Sequence, residues 1–329
     1  MKAIKSIGLA LLVLAVFSAL GCGRHSGSEV YTMIVTRSAL PYWQTAAAGF
    51  NKAAAQYGVK AKVVGPENFN PQAELAALHD AIASKPAGIL IQAADITLLQ
   101  SEINAAINAG IPVITIDSDA PGSRRLYFIG TNNIESGRVG ARRVIEKLGG
   151  RGNVVFFTLP GQSNLEDRLK GFKEVFATRP DIHIVDVVDT KGDTRYAFDW
   201  TQEALALSGD KRVDAFVSLE AASGKAIADA VKQVKVTDRL LVAWDVDPDT
   251  LADIKDGTID STVAQKPFTM GYVGLKALDE IYHDSPKLLA KDYSTNSFSP
   301  YPVFVDTGSS LVDKTNVDSY IASAAEEAK

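Results

Sequence analysis

From residue 30 onward, short apolar runs alternate with longer segments whose apolar residues recur every three to four positions. The runs are mostly β-branched and fit strands buried on both faces; the intervening pattern fits helices with one apolar stripe. The pattern predicts strands at 31–36, 61–64, 88–91, 113–116 and 126–129, with helices over 43–57, 71–84 and 97–110. The scheme then repeats, with strands at 154–158, 183–188, 215–218, 240–243 and 261–264. Helices are expected over 134–148, 164–178, 194–208, 223–234 and 248–256, then an amphipathic helix over 268–282 and a late strand at 301–305. Local signals mark several ends. Asn70 and Pro71 read as an N-cap and first helical residue, Thr97-Leu98-Leu99-Gln100 as a capping box, and Gly110-Ile111-Pro112 as a helix stop. Strand–helix alternation at this spacing predicts an α/β fold of two successive doubly wound lobes with parallel sheets.

The residues just past the strands carry the candidate chemistry, because open α/β sheets bind ligands at the carboxyl ends of their strands. The apolar run Val113-Ile114-Thr115-Ile116 delivers Asp117, Ser118 and Asp119 to a loop. The other predicted strand ends offer Tyr42 and Trp43, then Gln92 and Asp95. In the second half they offer Gln162, Asn164 and Arg168, then Lys191, Asp193 and Thr194, then Glu220, then Asp245 and Asp247, then Gln265. Planar hydrogen-bonding groups of both charges plus two aromatic rings suit a neutral polyol. A carboxylate or guanidinium can hold adjacent hydroxyls, and a ring can cover the apolar C–H face of a sugar. Plain packing for Tyr42 and Trp43, a solvated helix charge for Arg168 and helix caps for the aspartates are the structural alternatives.

The first 22 residues differ in kind. Lys2 and Lys5 precede an uncharged apolar stretch that is too short to span a membrane in the usual way but suits an export signal. It ends Ser18-Ala19-Leu20-Gly21-Cys22, and Cys22 is the single cysteine. This resembles a bacterial lipoprotein signal in which Cys22 becomes the lipidated first residue, leaving residues 23–29 as a flexible tether. An ordinary secretory signal and an uncleaved anchor are the alternatives. Removal of both lysines takes the net charge from −5 to −7 and leaves no thiol for disulfide or thiolate chemistry. The net charge of −5 argues against a nucleic-acid partner, which would favour a basic face.

The residues also resemble a family: the periplasmic sugar-binding proteins of ABC transporters, in the ribose/xylose group of the type I periplasmic binding proteins. The carriers are Pro41-Tyr42-Trp43, the segment from Ile111 to Asp119 with Pro121, Ile129-Gly130-Thr131-Asn132-Asn133 with Gly137, Arg168 with Gly171-Phe172, Trp244-Asp245, and Val263-Ala264-Gln265-Lys266-Pro267. The resemblance implies two aromatic residues, Tyr42 and Trp43, sandwiching a sugar. It implies charged residues Asp117, Arg168 and Asp245 holding its hydroxyls, Gln92 at an asparagine position and Gln265 at an interdomain crossover. Ser118 stands where ribose binders have arginine, Thr194 where a third aromatic is common, and Leu219-Glu220 where Asn-Asp is common; these favour another monosaccharide or polyol over ribose. Also implied is a hinge crossed three times, near Asn132, Gln265 and Ser299. The lobes would be 30–132 with 266–298 and 133–265 with 299–329. The expected protein is an exported monomer, lipid-anchored in the periplasm or on the outer face of the cell membrane, that hands its sugar to an ABC permease.

Rival functions are weighed by what they would need. Asp117-x-Asp119 and Asp245-x-Asp247 could serve glycoside chemistry or a metal. Yet Gly161-Gln162-Ser163-Asn164-Leu165 lacks the second glycine of a nucleophile elbow, and no Gly-x-Gly-x-x-Gly follows the first strand. His25, His79, His183 and His283 are scattered away from the strand-end loops, so neither a metal, a cofactor nor catalysis is expected. A lac-repressor-type regulator would need a DNA-binding head where the export signal stands. Another small ligand, such as an autoinducer furanose or a nucleoside, and docking to a sensory receptor remain alternatives.

Overall fold

The structure is a computed structural model that describes residues 25–286 and 299–327; the export signal and Cys22 lie outside the described residues. The first lobe runs Val30–Ile34 (β1), Pro41–Tyr57 (α1), Lys60–Val64 (β2), Pro71–Ser84 (α2), Gly88–Ile91 (β3), Ile96–Asn108 (α3), Val113–Ile116 (β4) and Phe128–Gly130 (β5). The second runs Asn133–Leu148 (α4), Gly152–Thr158 (β6), Ser163–Phe176 (α5), Ile182–Asp189 (β7), Thr194–Leu205 (α6), Ala215–Ser218 (β8), Ala221–Val234 (α7), Leu240–Trp244 (β9), Pro248–Asp256 (α8) and Ser261–Ala264 (β10). Pro267–Asp284 (α9) then returns to the first lobe, followed by Phe304–Asp306 (β11), Ser310–Asp313 (β12) and Val317–Glu327 (α10). Each lobe holds a six-stranded sheet, ordered β11-β5-β4-β3-β1-β2 in the first and β12-β10-β9-β8-β6-β7 in the second. All strand pairs are parallel except β10 with β12, which is antiparallel. Among the described residues no helix is long and apolar enough to cross a membrane.

The centres of both sheets are the apolar runs of the sequence; β3, β4, β8 and β10 are buried at every residue. Helices cover both faces, so strands without an exposed side are mainly apolar, with only small hydroxyl residues such as Thr115, Ser218, Ser261 and Thr262 among them. In each lobe one helix pair crosses so closely that only glycine fits. A Cβ on Gly49 of α1 would stand 2.0 Å from the Phe268 carbonyl oxygen of α9, and one on Gly171 of α5 would stand 2.1 Å from that of Ile134 in α4. These contacts hold α1 and α5, the helices that bring Tyr42, Trp43 and Arg168 to the space between the lobes.

The structure departs from the sequence expectations at several points. α3 is capped by Asp95, whose Oδ1 accepts from the backbone N–H of Thr97 (2.9 Å) and Leu98 (3.3 Å), so Thr97-Leu98-Leu99-Gln100 lies inside the helix and Asp95 is a cap. The late strand is Phe304–Asp306, and it pairs with β5. The third crossover therefore falls between Asp306 and Ser310, not near Ser299, because backbone pairing keeps the chain in the first sheet to that point. Within the expected tether, His25 stacks on Tyr57 at 4.7 Å and the Ser26 N–H donates to Glu29 Oε1 at 2.7 Å, so these residues pack on the first lobe.

Candidate functional site

Three stretches of chain pass side by side between the lobes. Thr307 donates from its N–H to the Gly130 carbonyl at 2.8 Å, Asp306 Oδ1 accepts from the Asn132 N–H at 3.1 Å, and Thr131 Oγ1 donates to Gln265 Oε1 at 2.8 Å. Beside this junction, at the carboxyl ends of both sets of strands, lies a cavity of about 50 Å³. Of the eleven sequence-predicted ligand residues, Tyr42, Trp43, Gln92, Asp117, Arg168, Glu220, Asp245 and Gln265 line it.

Asp117 follows β4 and Asp245 follows β9, the corresponding strand of the other lobe, and both have φ of +63°. Each backbone N–H bonds back to a neighbouring strand, Asp117 to the Ile129 carbonyl at 3.1 Å and Asp245 to the Val263 carbonyl at 3.0 Å. Aspartate tolerates this left-handed conformation better than most residues. The turn swings each carboxyl into the cavity instead of onto the next helix as a cap. Asp117 Oδ1 accepts from the Tyr42 hydroxyl at 2.7 Å and its Oδ2 from Asn164 Nδ2 at 2.9 Å, the latter across the cleft. Asp245 Oδ1 accepts from Gln265 Nε2 at 3.0 Å.

Arg168 is 1% exposed. Its Nε donates to Asn133 Oδ1 at 2.9 Å, its Nη1 donates to the Leu219 carbonyl at 2.7 Å, and its guanidinium lies 4.9 Å from the Trp244 ring. Its Nη2 is buried without a partner. Burial raises both carboxyls, Asp245 up to about 8 and Asp117 also above its ordinary value, and the Arg168 charge opposes the rise in each. Burial likewise pushes the Tyr42 phenol well up, so it stays a donor. Gln92 is held by Thr36, whose hydroxyl donates to Gln92 Oε1 at 2.6 Å, leaving the amide N–H₂ to face Gln162 Oε1 across the cleft at 3.4 Å.

Other expectations are corrected. Tyr42 and Trp43 are edge-to-face neighbours, centroids 5.0 Å apart and 83° between planes, so they form one corner of the cavity and not two faces of a sandwich. Glu220 reaches the cavity rim, but its carboxylate caps α7, accepting from the N–H of Ala222 (2.7 Å) and Ser223 (2.9 Å). Ser118, Asp119 and Thr194 do not line the cavity. Ser118 Oγ donates to the Ala93 carbonyl at 2.9 Å. Asp119 is taken by Arg125, Nε at 2.6 Å and Nη2 at 2.5 Å. Thr194 is the first residue of α6, behind its cap Asp193.

Residues outside the predicted set complete the walls: Thr36, Arg37, Leu40, Phe69, Leu159, Gln162, Asn164, Leu165 and Ala221. Gln162 and Asn164 stood among the strand-end groups; Arg37, in the loop after β1, was open to the same argument. Several of them, together with Ser163 beside Gln162 and Asn164, close the cleft. Arg37 Nη2 donates to the Gly192 carbonyl at 2.8 Å, and Ser163 Oγ accepts from the Asp119 N–H at 2.8 Å. Phe69 rests where a Cβ on Gly192 would come within 2.6 Å of its ring.

Two sheet-bearing lobes, joined by three adjacent crossovers and closed over a polar cavity, define a two-lobe ligand-trapping protein. The chain belongs to the periplasmic binding protein family, whose domain matches residues 31–283. The ribose import binding protein of Bacillus subtilis (strain 168) is 26% identical over 247 residues, 74% of this chain and 78% of that one. The D-allose-binding periplasmic protein of Escherichia coli (strain K12) is 25% identical over 75% of this chain and 83% of its own. A sugar-binding protein of a sugar ABC transporter from Bacillus halodurans has a TM-score of 0.79 at 34% identity, covering 89% of this chain and 100% of that one. A Burkholderia graminis C4D1M ABC transporter solute-binding protein in complex with D-arabinose has a TM-score of 0.81 at 27% identity, covering 90% and 99%. These relatives are binding proteins.

Proposed function

We propose that this chain captures a neutral monosaccharide or related polyol between its lobes and presents the closed form to an ABC permease. The observation that carries it is the trio of Asp117, Asp245 and Arg168. Two aimed carboxyls and a guanidinium with an unused N–H form a buried set whose remaining capacity is for hydroxyl groups. A free anion would meet two carboxyls, and a purely apolar ligand would leave all three groups unpaired. Tyr42 and Trp43 supply the apolar corner for the sugar's C–H face. A hinge at the three crossovers would admit the sugar, and the cross-lobe bonds of Asn164, Gln162 and Arg37 would hold the closed state.

The relatives are binding proteins, and the same reading for this chain is capture without catalysis and without a cofactor. The further reading is of an exported monomer, with the apolar leader removed and Cys22 lipidated, held at the membrane by that lipid alone. Thermal unfolding of the mature chain against pentoses, hexoses, inositols and nucleosides tests the ligand. A sugar at 100 times its Kd adds about 2.7 kcal/mol, which at ~2–4 °C per kcal/mol moves the midpoint several degrees. One sugar shifting the midpoint while its epimers do not is the expected result. A flat sugar panel with a nucleoside shift would overturn it.

A further inference from the structure

At the edge of the first sheet opposite the cleft, four side chains converge that the cavity does not use. Asp279 and His283 lie one turn apart on α9 and share a face, while His25 and Glu29 come from the segment that enters β1. His25 Nδ1 is 3.1 Å from Asp279 Oδ1, and His283 Nε2 is 3.0 Å from Glu29 Oε2 and 3.6 Å from Asp279 Oδ1. One nitrogen or oxygen of each residue lies within 4.8 Å of all the others. At 1.5 Å per residue along α9, the cluster stands about 24 Å from the crossover end of that helix. Tertiary contact joins two short pairs from opposite ends of the chain, a proximity that the scatter of the four histidines along the sequence does not reveal.

We propose that His25, Glu29, Asp279 and His283 form a binding site for a divalent transition-metal ion of the zinc class. Tetrahedral ligands at ~2.0–2.1 Å from zinc stand about 3.3–3.4 Å from one another, and the three observed separations fall on either side of that spacing. Two imidazoles favour zinc, nickel or copper over calcium and magnesium, which take oxygen ligands. Two carboxylates would neutralise the ion at a place where Asp279 is only 2% exposed. His25 Nδ1 is buried and close to Asp279 Oδ1, yet has no hydrogen bond, as expected of two atoms directed at a common third centre. Outer contacts hold the set in place: the Tyr31 hydroxyl donates to Asp279 Oδ1 at 3.0 Å, and Tyr57 stacks on the His25 ring. A bound ion would pin the segment that enters β1 to the last turn of α9.

The test is calorimetric titration of the untagged full chain with zinc chloride after treatment with EDTA and dialysis. One zinc per chain with Kd near or below about 1 μM is expected, together with an unfolding midpoint that rises with zinc and returns on adding EDTA. His25→Ala and His283→Ala should each abolish uptake, and calcium chloride should give no binding heat. Zinc K-edge absorption of the wild-type protein should show two imidazoles in a four-ligand nitrogen and oxygen shell, an outcome independent of whether the variants fold. Uptake no tighter than millimolar, full uptake in a folded double variant, or a shell without imidazole would each overturn the site, leaving two imidazole–carboxylate pairs in its place.

Discussion

Asp117 and Asp245 occupy the same place in the two lobes, with the same left-handed backbone and the same bond back to a neighbouring strand, yet their side chains are used differently. Asp117 takes two side-chain donors, Tyr42 from its own lobe and Asn164 from the other, and so ties the closed form together without a ligand. Among the described residues Asp245 has one side-chain donor, Gln265, itself held by Thr131 at the crossover. Burial accordingly pushes Asp245 up to about 8. One backbone solution, used twice, has given one carboxyl that latches the lobes and another that, on the proposed function, is left for a ligand hydroxyl.

The largest effect belongs to the group both carboxyls share. Arg168→Ala should weaken sugar binding by ~100-fold or more, since hydrogen bonds to a charged group are worth about 1.5–3 kcal/mol each and more than one is lost. Lysine at 168 should not restore it, because a point charge cannot donate to Asn133, Leu219 and a ligand in the guanidinium's planar fork. Calorimetry on the three proteins measures this; near-native affinity in Arg168→Ala would remove Arg168 from the site.

The comparison itself is sharpened by replacing each aspartate with asparagine. Both variants should lose about 10- to 100-fold in affinity. Asp117→Asn alone should also enlarge the ligand-free protein in small-angle scattering, because it weakens the bridge to Asn164. Equal expansion in Asp245→Asn would break the distinction between latch and waiting carboxyl.

A pH series separates them again. Folded ligand-free protein holds the Asp245 proton up to about 8, whereas the unfolded chain releases it near 3.8, so the native state binds more protons between those values. Stability contributed by this group is therefore present in acid and is lost as pH rises through about 8. Asp245→Asn should flatten the fall of unfolding midpoint measured between those limits, and an unchanged slope would assign the titration elsewhere. Smallest of all, Thr194→Val should leave affinity unchanged and stability within about 0.5 kcal/mol, as for a partly exposed residue that does not line the cavity.

Much of the fold was legible because its signals are local. Asn70 caps α2 as expected, its side chain accepting from the Ala73 N–H at 3.0 Å, and Gly110 takes its positive φ of 82°. Asp95 shows where that logic slips: a cap two residues before a threonine competes with the threonine itself, and the carboxylate won the helix N-terminus. Ten of the cavity's side chains, Gln162 and Asn164 among them, stood in the strand-end groups of the sequence. Ser118, Asp119 and Thr194 stood at strand ends too, but a loop residue's direction depends on partners from elsewhere, such as Ala93 and Arg125. Arg37 and Phe69 act across the cleft, a contact no local pattern encodes.

By itself, then, the sequence determined the alternation of strands and helices, the duplication of the lobe and the carboxyls at the ends of β4 and β9. These follow from side-chain period and backbone preference, which act over a few residues. Only the tertiary structure decided that β11 stays with the first sheet, that Arg37 bonds to the Gly192 carbonyl across the cleft, and that His25 meets His283. Each of those outcomes is a competition among partners far apart in the chain, settled by packing and by the cost of leaving a buried polar group unpaired.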